Sequence, residues 1–326
     1  MKNILLLHPI NSSLGVWERS LVNNFKYLGF ETYSLDYREI SYFYKLKKPF
    51  YENLLLKEIK KKIKEIKPYF IFVSKGELIT PFILEEIKKF KIPLINWIGD
   101  GPWVLDFIKK IYKYYDAFYT FDSKTIELLN CPHNVKYLSF GFDTLMDRNF
   151  NSKDSEYYKS DISFIGSPTN ERLVLLKYLE KLPKLNIKIW GPEKWNKTPY
   201  KKFYMGRSLI GKEMYFAYKN SKLVINIHYG FGQKDVIPYN GINHRFFESF
   251  GIGTYCLSNY QEDMKKDFEN DFIYYTSFSE IEEKVLFLLK NYEYTLRLSN
   301  NLKKEILSGH TLIHKLRTIV KDLKSW

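Results

Sequence analysis

At 326 residues, 45% hydrophobic and 18% aromatic, the chain is long enough for two packed cores of about 150 residues each. Its net charge of +14 is spread: residues 1–150 carry 23 Lys+Arg against 17 Asp+Glu, and the remainder has a similar excess. With lysine ahead of arginine and no basic arm, this excludes a charged-tail nucleic-acid binder but suits an anionic substrate or membrane surface. Two cysteines exclude a disulfide framework and point to a reducing cytoplasm. No apolar run reaches the roughly 18 residues of a membrane span.

The elements alternate in type. Asn3–His8 reads as a first strand, its apolar run too short for a secretory signal. After the loop Ser12-Ser13-Leu14-Gly15, an amphipathic helix is predicted over Val16–Leu28 and ends at Gly29. Phe30–Asp36 is a second strand. Leu56, Ile59, Ile63 and Ile66 then lie at helical spacing within Leu54–Lys67, with lysines on the other faces. Strands are predicted at Tyr69–Ser74, Ile92–Ile98, Ala117–Phe121 and Val135–Ser139. The polar stretch Asp147–Lys159 reads as a linker.

Alternation restarts at Asp161–Gly166, where Ser167 and Pro168 supply an N-cap and a first-turn proline for a helix to about Leu182. Further strands are expected at Asn186–Trp190, Lys202–Met205, Leu223–Ile227, Thr254–Leu257 and Asp271–Tyr275. Ser279-Glu280-Ile281-Glu282 reads as a capping box, and the tail from Asn291 is helical. The pattern is that of two successive doubly wound α/β units.

Ligands of doubly wound sheets lie outside the carboxyl ends of the strands. In the second half this selects Gly166-Ser167, Trp190-Gly191, Gly206-Arg207, His228 and the stretch Gly241–Glu248. In the first half it selects Ser12–Gly15, Ser74–Glu77, Asp100-Gly101 and Gly141. Asn243, His244 and Arg245 are predicted to open a helix, whose free N–H groups and positive end favour an anion. Glu248, three residues past Arg245, projects to the same side. Cationic donors beside a carboxylate suit a diphosphate joined to a vicinal diol. Glycine at 166 lets a phosphate approach the backbone, and Arg172 either reaches that phosphate or pairs with Glu171 and Glu180. His228 is either a ligand contact or an internally satisfied rim histidine. His310 and His314 lack the glutamate and carboxylates of a zinc site, so no metal ligand is assigned.

Gly241-x-Asn243-x-Arg245-x-Phe247-Glu248, followed by Gly253, resembles the donor-site signature of the CgeB-like (spore-maturation protein type) glycosyltransferases, group-1 enzymes of GT-B fold. Asp161–Ser167 with Arg172, Trp190-Gly191, Gly206, Lys222–Ile227, and His310-Thr311 with Arg317 resemble the family in the same order. Lys67-Pro68, Lys75-Gly76 and Trp97-x-x-Asp100 extend the likeness more loosely into the first half. Many group-1 enzymes carry two glutamates seven residues apart; here the first falls on Asn240, so no stereochemical outcome transfers.

The resemblance implies two Rossmann-like domains facing a cleft: an acceptor-side domain (1–152), a nucleotide-sugar domain (153–308) and a last helix (309–326) crossing back. It implies a hexosyltransferase-type glycosyltransferase that moves sugar to an acceptor hydroxyl without a metal, with no cofactor beyond a UDP- or GDP-sugar donor. Gly15, Gly166, Ser167, Arg172, Trp190, Gly191, His228, Asn243, Arg245 and Glu248 form the expected donor set, with Glu248 on the ribose and the arginines on the diphosphate. Asp100, after a strand of the first domain, is the candidate base of an inverting reaction. Two other readings stay open: a non-catalytic nucleotide- or carbohydrate-binding GT-B module, and a GT-B nucleotide-sugar epimerase. The acceptor is a glycan, protein or lipid, and no nucleic acid is expected. A cytoplasmic protein is expected, with at most weak peripheral association at the inner face of the membrane.

Overall fold

The structure is a computed structural model that describes residues 1–9, 15–39, 48–146, 155–182 and 184–323. The loop predicted at Ser12–Leu14, and residues 147–154 of the predicted linker, lie outside these. The chain forms two compact units. The first takes Met1–Ser139, Tyr239–Gly241 and the residues from Leu312 onward; the second takes Phe140–Pro238 and Ile242–Thr311. The division thus falls after Ser139 and not after residue 152. Aromatic packing explains the shift: Phe140 stacks on His244 at 3.6 Å, and Phe142 stacks on Tyr215 at 5.3 Å.

The first unit is built on six parallel strands: β1 (Lys2–His8), β2 (Phe30–Asp36), β3 (Phe70–Ser74), β4 (Leu94–Ile98), β5 (Ala117–Thr120) and β6 (Val135–Tyr137). Their order is β2-β1-β3-β4-β5-β6, so the winding reverses between β1 and β3. β3 and β4 are buried along their whole length, as mostly apolar runs broken only by Asn96 within β4 and Ser74 at the end of β3. The helix Lys48–Ile66 buries Leu55, Ile59 and Ile63 in the core of this unit, each contributing roughly 1.5–3 kcal/mol of transfer free energy. Its stripe therefore faces protein. The helix Leu312–Leu323 packs against Gly15–Tyr27 and buries Leu312, Leu316 and Ile319. Its Asp322 accepts from the Tyr119 hydroxyl at 2.6 Å and from Lys136 Nζ at 2.7 Å.

The second unit holds four parallel strands: β7 (Ser160–Ile165), β8 (Ile187–Trp190), β9 (Ser221–Ile225) and β10 (Tyr255–Leu257). The order β10-β9-β7-β8 places the reversal between β7 and β9. Two predicted strands are absent. Lys202–Met205 gives way to a 3-10 turn at Lys201–Phe203, with a single bridge from Tyr204 to Ile189. At Asp271–Tyr275 only Tyr275 bridges, to Asn259. There the Ile273 N–H donates to the Tyr255 hydroxyl at 2.6 Å, so a side chain takes the place of a ladder bond.

Two predicted caps are displaced. The helix after β7 spans Asn170–Leu179 with Thr169 as its N-cap, leaving Ser167 and Pro168 in the preceding turn. The box predicted at Ser279–Glu282 lies two residues earlier. Glu280 reaches back to accept from the Thr276 and Ser277 hydroxyls at 2.6 and 3.0 Å, ahead of the helix Ile281–Lys290.

Candidate functional site

In the second unit the best-built polar site lies at the sheet reversal. The helix His244–Ile252 buries Phe246, Phe247 and Phe250, which turns Arg245 and Glu248 away from the core. It stops where Gly253 adopts the left-handed conformation (φ 96°) that glycine tolerates without strain. Gly251 lets the helix approach a neighbour: a Cβ there would lie 2.3 Å from the Phe142 ring.

Arg245 spans the gap between β7 and β9. It donates to the Ile165 carbonyl at 2.5 Å and to Asn226 Oδ1 at 2.6 Å, with its guanidinium 4.7 Å above the Phe164 ring. Arg172 donates to the Ser167 carbonyl at 2.7 Å and lies 5.4 Å over the same ring. Meanwhile Glu171 accepts from Gln233, and Glu180 pairs with Lys202. Gly166 sits between the two guanidiniums: a Cβ there would be 3.0 Å from Arg245 Nη2 and 3.3 Å from Arg172 Nη1. Glycine lets both guanidiniums close on this turn, with the Phe164 ring 3.3 Å from the same point, and two cations converging on one backbone position is the chemistry of an anion site.

Glu248 is half-buried and forms no hydrogen bond among the described residues. Burial pushes its carboxyl up to about 7, against the opposing pull of Arg245. It is thus an uncommitted acceptor one helical turn from the arginine.

The remaining donor-set residues divide between this site and its support. Asn243 caps the helix backbone in an extended conformation, but its side chain does not bond the helix. Instead Nδ2 donates to Asn226 Oδ1 at 2.9 Å. The Asn243 N–H is taken by His228 Nε2 at 3.2 Å, while His228 Nδ1 contacts Asn259 Oδ1 at 2.8 Å. Burial lowers the His228 pKa to about 3, so this ring is neutral and holds the turn from within. Neither it nor the Asn243 N–H faces outward. Trp190 is fully buried and packs beside Tyr157 and Tyr158; it is a core residue. Gly191 is required by packing, since a Cβ would fall 2.2 Å from the Gly166 carbonyl. Ser167 is exposed in the turn.

Gly15 and Asp100 belong to the first unit. Gly15 opens the helix Gly15–Tyr27, beside residues outside the description. Asp100 follows β4 and pairs with Lys75 Nζ at 3.2 Å. The segment Tyr239–Gly241 is tethered there as well. Asp122 Oδ1 accepts from the Asn240 and Gly241 N–H groups at 2.6 and 3.0 Å, and Asn240 Nδ2 donates to Ser123 Oγ. Asn240 therefore anchors this segment to the first unit.

Sequence reasoning gave no role to Asn226 or Lys75, although both lie in segments that it singled out, and it missed Glu18. Asn226 organises both Asn243 and Arg245; its signal was an amide ending an apolar strand. Lys75, the partner of Asp100, carries a left-handed backbone (φ 62°). At the reversal of the first sheet, Glu18 is buried, accepts from Ser74 Oγ at 3.3 Å and is pushed by burial to about 7. His8, at the end of β1, is lowered by burial to about 4, partly offset by Asp36.

Residues 172–321, just under half the chain, match the family model described as "Glycosyl transferase-like". Among curated proteins none matches in sequence. Sucrose-phosphate synthase from Thermosynechococcus elongatus superposes with a TM-score of 0.69 at 8% identity, over 100% of both chains. The Escherichia coli trehalose-6-phosphate protein bound with UDP-2-fluoro glucose gives 0.65 at 9%, over 100% of this chain and 99% of that one. UDP-GlcNAc 2-epimerase from Neisseria meningitidis, bound to UDP-GlcNAc, gives 0.58 at 11%, over 100% of each. At such identities the likeness speaks for architecture: the chain has the GT-B fold, two Rossmann-like units each on a parallel sheet.

Proposed function

We propose that the protein is a glycosyltransferase of CgeB-like type that moves a hexose from a nucleotide sugar, a UDP- or GDP-sugar, to an acceptor hydroxyl. The observation that carries this reading is the convergence of Arg172 and Arg245 on Gly166, with the uncommitted carboxylate of Glu248 one turn from Arg245. The guanidiniums hold the diphosphate, and Glu248 accepts from the ribose diol. As the glycosidic bond breaks, charge grows on the departing diphosphate, where fixed cations stabilise the transition state more than the ground state. Two guanidiniums supply that charge, so the transfer is metal-independent. His228, Asn226 and Asn259 orient the turn that carries Asn243. In the first unit, the acceptor side, Asp100 serves as base with Lys75 beside it; the acceptor is a glycan, protein or lipid, and the setting is the cytoplasm.

A thermal-shift screen across UDP-, GDP-, ADP-, CMP- and dTDP-sugars tests the reading, because a ligand of the native state raises Tm by mass action. One nucleotide family should stabilise the protein and its diphosphate should be released on adding acceptor. No shift with any nucleotide sugar would end the proposal. The likeness to the Neisseria epimerase favours a second reading, distinguished by conversion of the donor sugar without an acceptor.

A further inference from the structure

The first unit carries a hollow at the opposite end of its sheet from Asp100. The strands run parallel, and Lys2 is paired in register with Phe30 at the amino ends of β1 and β2. Tyr69 directly precedes β3. With Leu28, Gly29, and Arg317, Val320 and Lys321 of the helix Leu312–Leu323, these residues line a cavity of about 460 Å³.

Its chemistry is one-sided. Three lining residues are cations, and none is a carboxylate. Elsewhere lysines find acidic partners, as in Lys60–Glu86, Lys136–Asp322 and Lys181–Glu282. Lys2, Arg317 and Lys321 form no ion pair among the described residues; the Lys2 ammonium instead lies 3.5 Å over the Tyr69 ring. Like charges gathered around one concavity repel, and an anion entering it relieves that repulsion. The rest of the lining is apolar: Leu28, Phe30 and Val320 are half-buried, and the left-handed Gly29 (φ 87°) has nothing within 4 Å of where a Cβ would stand. Arg317 belongs to the C-terminal motif noted in the sequence, and the donor site makes no use of it.

We propose that this hollow is an anion site that takes a phosphate-bearing ligand with an apolar portion, Arg317 and Lys321 gripping the phosphate and Leu28, Phe30 and Val320 receiving the apolar part. The inference is independent of the glycosyltransferase reading. Phosphate of this kind comes either from an anionic phospholipid or from a free organophosphate.

The test uses the full chain and two probes, inorganic phosphate and vesicles of phosphatidylglycerol in phosphatidylcholine. The Gly29 amide resonance is followed in wild type, in Arg317→Glu/Lys321→Glu and in Arg245→Ala, each shown folded by its Tm. Phosphate should shift the Gly29 signal in wild type and in Arg245→Ala, and bind at least about tenfold more weakly in the double reversal, which removes two charge-assisted contacts. Sedimentation with vesicles at low salt that is lost in the double reversal identifies a lipid as the source. A phosphate shift without sedimentation identifies a free organophosphate. A Gly29 signal unmoved by phosphate, together with vesicle binding unchanged by the double reversal, overturns the proposal.

Discussion

Arg245 and Glu248 share one helical turn but have opposite commitments: the guanidinium is already bonded to Ile165 and Asn226, whereas the carboxylate is open. Arg245→Ala and Glu248→Ala should each lower nucleotide-sugar affinity by more than tenfold, since losing a charged hydrogen bond costs about 1.5–3 kcal/mol. Titration calorimetry on the folded variants decides it, and unchanged affinity in both removes the pair from the site. Glu248 also sets a pH dependence. Its pKa is raised to about 7 in the folded protein, so the native state holds the proton longer than the unfolded chain does. Stability from this group is therefore greatest below its unfolded value and falls as pH rises toward 7. Donor affinity runs the other way, because only the carboxylate accepts from both ribose hydroxyls. Affinity should rise between pH 6 and 8 in wild type and stay flat in Glu248→Gln. A different residue is tested by Asp100→Asn. If Asp100 is the base, turnover should fall about 10²–10⁴-fold with donor binding little changed; near-normal turnover would leave it as the ion-pair partner of Lys75.

At the scale of elements, the turn after β7 invites the sharpest test. Gly166→Ala would put a methyl carbon 3.0 Å from Arg245 Nη2, 3.3 Å from Arg172 Nη1 and 3.3 Å from the Phe164 ring. Gly166 also holds φ 157°, where an L side chain is strained by about 1–3 kcal/mol, so Tm should fall as donor affinity drops; full donor affinity in the folded variant would show that this turn is not the phosphate position. This turn was readable because glycine and arginines follow an apolar strand, and the helix His244–Ile252 was readable because its phenylalanines face one way. The failures share a cause. Asp271–Tyr275 has strand composition, but the Tyr255 hydroxyl, distant in sequence, takes its backbone donor. His228 stands at a strand end as ligand-binding residues do, yet Asn259 and the Asn243 N–H claim its ring. Glu18 matters through Ser74, 56 residues along the chain, which no local pattern reports. Residue type and periodicity reveal where a side chain starts; they do not reveal which distant group reaches it first.

For the whole molecule, neither unit is a contiguous stretch of chain. The first is completed by Tyr239–Gly241, held by Asp122, and by the helix Leu312–Leu323, whose Leu312, Leu316 and Ile319 are fully buried. Ending the chain at Thr311 should therefore strip cover from the helix Gly15–Tyr27 while leaving the sheet of the second unit intact. Burying a large aliphatic side chain is worth roughly 1.5–3 kcal/mol, and three are lost, so the first unit should no longer melt cooperatively. Calorimetry would show its transition missing or broadened; an unchanged profile would mean that the helix is dispensable.

The position of that closing helix also has a consequence in time. Domains usually fold in the order in which they emerge, at about 5–20 residues per second. Here the helix that covers Gly15–Tyr27 follows the entire second unit in the chain. During synthesis the first unit must wait, with an apolar helix face uncovered, for the roughly 10–30 seconds needed to make the residues between Ser139 and Leu312 at that rate. The second unit, begun later, can be finished earlier. The order of maturation is then the reverse of the order of birth, and the interval is one in which a nascent-chain chaperone would find the first half of this protein open.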